Sequence, residues 1–68
     1  MEIKFLLNKN KVKGYPSELN CEYTAFIDEN NPDIVLVTWN INGEMCESEY
    51  PCIDVEYYFH NGDWIEIY

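Results

Sequence analysis

The groups in this chain with the means to do chemistry are Cys21, Cys46, Cys52, His60 and a large set of carboxylates. Structural zinc sites gather four thiolate or imidazole ligands and commonly present them as closely spaced pairs. Here 24 residues separate Cys21 from Cys46 and five separate Cys46 from Cys52, no C-x-x-C knuckle occurs, and His60 is the sole histidine. The sequence therefore predicts no metal and no cofactor, with the thiols behaving as small buried hydrophobes. The segment Asp28-Glu29-Asn30-Asn31-Pro32-Asp33 offers oxygen ligands but lacks the glycine and closing glutamate of an EF-hand loop, and reads as a solvated turn. Ser17, Ser48 and the thiols are potential nucleophiles, yet the one histidine is expected at an exposed turn, so no nucleophile-histidine-acid set assembles. Carboxylate pairs for glycoside hydrolysis can be nominated anywhere in so acidic a chain, which empties the nomination of meaning. No glycine-rich phosphate loop is present. The expectation is a protein that is not an enzyme.

What remains is charge. The four lysines all lie between residues 4 and 13, and of the 13 acids only Glu2 precedes residue 14, for a net charge of −9. Such an excess repels itself while steering encounters with cationic surfaces. It disfavours direct nucleic-acid binding, because a phosphate backbone needs lysine and arginine to displace its counterions. A hydrophobic content of 47% and an aromatic content of 16% exceed those of a disordered acidic tail, so the chain is expected to fold. Its length suits one domain, residues 1–68, burying roughly 60% of the surface of the unfolded chain. A core of that size yields about 3–5 kcal/mol, which leaves room for a partner or a homodimer to add to it. An odd cysteine count without a secretory leader points to a reducing, cytoplasmic setting, with a single bridge among Cys21, Cys46 and Cys52 left open. No apolar run approaches the ~20 residues of a membrane-spanning helix.

The elements that must position these groups are strands. Helical spacing is rare, while valine, isoleucine and aromatic residues fall into short alternating runs. The fold is predicted to be all-β: a small single-domain antiparallel sheet, or partly closed barrel, of five to six strands in meander-like order with no crossover helix. Met1 to Leu7 alternates, with Ile3, Phe5 and Leu7 on one face, before a turn at Asn8 to Asn10. Lys11 to Asn20 is interrupted by Gly14, Pro16 and Ser17 and reads as a loop or a single helical turn at Ser17-Glu18-Leu19. Cys21 to Asp28 gathers Cys21, Tyr23, Ala25 and Ile27, and Ile34 to Ile41 is the most apolar run and the expected central strand.

Asn42-Gly43 and Asn61-Gly62 are both predicted to be hairpin turns, since asparagine and glycine accept positive φ. For the second, a two-residue loop would place Ile65 and Ile67 with Glu56 and Asp54. A three-residue loop of His60-Asn61-Gly62 instead gathers Ile53, Val55, Tyr57, Ile65 and Ile67 on one face, and is preferred because the buried face sets register. The opposite face then carries Asp54, Glu56, Tyr58, Trp64, Glu66 and Tyr68, with Glu47 and Glu49 as a second anionic row. Same-face residues on a strand lie about 7 Å apart, so the carboxylates form regular rows.

Acids interleaved with aromatics suit a protein interface in which Tyr58 and Trp64 anchor and charge sets register. The plainer reading has Tyr58 and Trp64 packing in a core, with the acids as solvent-facing dressing. The uncompensated acids favour the interface. The expected partner is a basic host protein, a nucleic-acid-processing or defence enzyme, and the expected function is inhibition by occluding its basic groove. In size, acidity and aromatic content the chain resembles phage-encoded antagonists of host defence, including DNA-mimic inhibitors of uracil-DNA glycosylase, restriction enzymes and CRISPR effectors. No motif is shared, so no residue role carries over. Two alternatives stand beside it: an assembly module self-associating through an edge strand at Asp63 to Tyr68, and an immunity-type protein that neutralises a cationic toxin.

Overall fold

Asn42 and Gly43, at φ 52° and 85°, form a two-residue turn that joins strand β3 (Ile34–Ile41) to strand β4 (Glu44–Pro51). The left-handed conformation at both positions matches the turn to the twist of the strands, and Ile41 closes the hairpin opposite Glu44. The structure is a computed structural model and describes residues 1–11 and 21–67. Of the loop expected over Lys11 to Asn20, residues 12–20, which include the helical turn expected at Ser17-Glu18-Leu19, lie outside the described residues, as does Tyr68.

Strand β1 (Glu2–Leu7) pairs with strand β2 (Tyr23–Ile27), which pairs with β3, giving a meander of four antiparallel strands. A short fifth strand, β5 (Trp64–Glu66), lies against β1, so the sheet order is β4-β3-β2-β1-β5. Its two outer strands do not meet, and the sheet is open: the barrel alternative falls away. β3 is internal, but β2 holds the centre.

The second predicted hairpin does not form. Cys52–Asn61 is an α-helix, α1, and Gly62 is its stop. At φ 82° Gly62 adopts the left-handed conformation, its N–H donating to the Phe59 carbonyl at 3.3 Å while the Asp63 N–H donates to the Tyr58 carbonyl at 2.9 Å. Those paired bonds are a Schellman motif, the other common use of an Asn-Gly step. Cys52, Val55, Tyr58 and Phe59 recur at helical spacing and turn toward the sheet, with Val55 buried and the others half-buried against the core. α1 carries the chain from the β4 edge to β5 at the opposite edge, so β4 and β5 run in the same direction, the crossover helix that was not expected.

The reason lies in the sheet. One face presents Phe5, Tyr23, Ala25, Val35 and Val37, all buried, and a sheet with an apolar face needs a second layer. α1 provides it. Trp64 completes the core, stacked on Phe5 with ring centroids 4.4 Å apart and planes within 15°. Phe59 meets both rings edge-on, at 5.3 Å and 5.6 Å, and Tyr50 meets Trp64 edge-on at 5.4 Å.

The turn after β1 fastens the helix end. The Asn8 amide nitrogen of the side chain donates to the Gly62 carbonyl at 2.9 Å, the Asn8 N–H donates to Asp63 at 2.8 Å, and Lys11 Nζ donates to the Asn61 carbonyl. A cation at these last carbonyls also complements the negative end of the helix dipole. One of the clustered lysines thus has a structural task.

Candidate functional site

The face built from Asp54, Glu56, Tyr58, Trp64 and Glu66 is not present as one surface. With about 100° between successive residues of a helix, Asp54 and Glu56 diverge to opposite flanks of α1 instead of aligning as they would on a strand. Trp64 is only 8% exposed, Tyr58 is half-buried, and their rings lie 4.8 Å apart within the core. Neither is an exposed anchor, so the core-packing reading of these two aromatics is the correct one. Glu66 is exposed on β5. Tyr68 lies outside the described residues.

The expected pair Glu47 and Glu49 is where the strand pattern placed it. Both are exposed on β4, opposite Thr38 and Leu36 respectively, while Cys46, Ser48 and Tyr50 turn to the helix side. No cation stands across from either glutamate. The three cysteines are free, and no group of histidine, cysteine and acidic residues among the described residues is arranged to hold a metal.

Two residues that the sequence reading placed on a buried hairpin face are instead the most prominent feature of the helix surface. Ile53 is 75% exposed and Tyr57 60% exposed, and their four-residue spacing stacks them as one ridge opposite Val55. Asp54 and Glu56 flank that ridge on either side. The signal that would have found it is the competing helical period of Cys52, Val55, Tyr58 and Phe59, which leaves Ile53 and Tyr57 on the outer face.

Every described carboxylate is exposed except Asp63, which is half-buried. Among the described residues none of them lies in ion-pair reach of a lysine or the amino terminus. Their hydrogen bonds are local: Asp28 Oδ1 accepts from the Asn30 N–H at 2.9 Å, and the Asp63 carboxylate accepts from the Asn61 side chain at 3.3 Å. The described residues therefore present a predominantly anionic field without paired cations. β4 enters α1 through Pro51, so Glu47, Glu49, Asp54 and Glu56 with Ile53 and Tyr57 belong to one short covalent run.

A cleft of about 380 Å³ lies between sheet and helix and is lined largely by rings, among them Trp39, Tyr50 and Tyr58, with Lys11 and Asp63 as the charged members among the described residues. No helix of the described residues is long and apolar enough to cross a membrane. No protein-family model, curated protein or solved structure matches the chain.

Proposed function

We propose that this protein is an acidic antagonist that docks on a basic, nucleic-acid-handling surface of a host protein and occludes it. The observation that carries the reading is that a folded domain turns nearly all its carboxylates outward with no neutralising partner among the described residues. Self-repulsion of that kind works against the compact state, and a cationic partner relieves it. Glu47, Glu49, Asp54 and Glu56 set the electrostatic complement, and Ile53 and Tyr57 replace Tyr58 and Trp64 as the apolar anchors. Such an arrangement favours fast, salt-sensitive association, with apolar contacts governing dissociation.

The test is capture from host lysate on immobilised protein at low and at high salt, followed by nucleic-acid binding assays on what is recovered. The expected result is a nucleic-acid-processing enzyme retained at low salt, released at high salt, and unable to bind its nucleic acid while the protein is bound. Captured enzyme that still binds nucleic acid with the protein saturating it would refute occlusion. Recovery solely of the protein itself would favour the assembly alternative, for which the three-residue outer strand β5 offers a short edge.

A further inference from the structure

The hydrogen-bond phase of the sheet can be followed strand by strand. The Ile27 N–H donates to the Met1 carbonyl at 2.9 Å, so the odd-numbered residues of β2 bond to β1 and its even-numbered residues to β3. β3 then bonds to β4 through Val35, Val37, Trp39 and Ile41, whose partners are Tyr50, Ser48, Cys46 and Glu44. That leaves the backbone groups of Met45, Glu47 and Glu49 pointing away from the sheet along its outer edge. Pro51, which has no N–H, occupies the next outward position, where no ladder bond is lost.

An eight-residue outer strand with free donors and acceptors is a template for another strand, and two observations choose the occupant. Glu47 and Glu49 share one face of the edge, and their inward neighbours Thr38 and Leu36 carry no charge. An incoming strand with lysine or arginine at alternate positions would set each cationic residue opposite a glutamate, with Cβ atoms about 5 Å apart. A second copy of this chain meets the opposite situation. Two-fold antiparallel pairing centred on Glu47 opposes that residue to itself, and the adjacent register opposes Glu47 to Glu49 twice, and like charges directly opposed destabilise a ladder.

We infer that the β4 edge takes up an extended basic segment of the partner by strand addition and disfavours self-pairing. This is the mode of binding that the proposed antagonist would use, and it rests on that reading for the partner's charge. Backbone bonds provide affinity in such complexes, and alternate side chains provide selectivity.

The experiment uses the whole protein and capped heptapeptides of alternating lysine and valine, glutamate and valine, and backbone-N-methylated lysine and valine, the lysine N–H groups being the ones that face the edge in an antiparallel pairing. Amide hydrogen exchange followed by NMR should show the lysine peptide slowing Met45, Glu47 and Glu49 while leaving their even-numbered neighbours unchanged. Removing the peptide's donors by N-methylation should weaken binding about tenfold or more, since several backbone bonds are lost together. The glutamate peptide should not protect the edge, whereas a Glu47→Lys, Glu49→Lys variant, which keeps the ladder to β3, should exchange the two preferences. Absence of protection at the three amides with the lysine peptide, equal binding of its N-methyl form, or protection that rises with protein concentration alone would overturn strand addition. If the edge fails while Ile53→Ser and Tyr57→Ser still abolish salt-sensitive capture, the antagonist reading stands and only its mode is wrong.

Discussion

Replacing Trp64 with alanine discriminates between two packings of the C-terminal third, because the strand hairpin and the helix put different side chains inside. In the structure Trp64 is almost wholly buried and touches the rings of Phe5, Tyr58, Tyr50 and Phe59 at 4.4, 4.8, 5.4 and 5.6 Å. Truncating a tryptophan in such a setting costs about 3–5 kcal/mol, combining lost transfer energy with the cavity left behind. A domain of this size has about 3–5 kcal/mol to lose, so Trp64→Ala should be largely unfolded at room temperature. Tyr57→Ala removes an exposed ring and should stay within about 0.5 kcal/mol of wild type. Urea unfolding followed by far-ultraviolet circular dichroism measures both. Trp64→Phe keeps a ring against Phe5 and should fold with a lowered midpoint, giving a measurable shift if the alanine variant cannot be studied. The reasoning is refuted if Trp64→Ala retains the wild-type midpoint while Tyr57→Ala loses several kcal/mol, the order a hairpin with Tyr57 inside would produce.

Gly62→Ala should lower the thermal midpoint by the equivalent of about 1–2 kcal/mol, since an L residue at φ 82° is strained even though its Cβ would meet only the side-chain end of Lys11 at 3.4 Å. Lys11→Met removes the cation at the helix C-terminus and should lower the midpoint by a smaller step, with the difference from wild type shrinking as salt is added, which thermal scans at two ionic strengths would register. Neutralising the edge with Glu47→Gln and Glu49→Gln should leave stability unchanged or slightly raised while reducing low-salt capture of the partner. A loss of stability there would mean that these carboxylates hold the fold and are not free to bind.

Local pattern sufficed where one period governed a segment. Ile3, Phe5 and Leu7 alternate toward the core as read, Tyr23 and Ala25 lie inside, β3 spans Ile34–Ile41 as expected, and Asn42-Gly43 makes the hairpin that its backbone preferences specify. The pairing of Glu47 with Glu49 on one exposed face was legible for the same reason: residues two apart on a strand share a side.

Residues 52 to 61 carry two periods at once. Ile53, Val55 and Tyr57 alternate as a strand would, and Cys52, Val55, Tyr58 and Phe59 recur as a helix would, with β-branched and aromatic residues biasing the local choice toward strand. The Asn61-Gly62 step serves equally well as a hairpin turn or a helix stop, since both require positive φ. Charge and strand-rich class are properties of the residue list, so the sequence by itself determined them. Tertiary structure alone decided that this segment coils into a helix, because only the assembled sheet presents the apolar face of Phe5, Tyr23 and Val37 that must be covered. That one decision drew Trp64 and Tyr58 inward, turned Ile53 and Tyr57 out to solvent, and left β4 as a free edge.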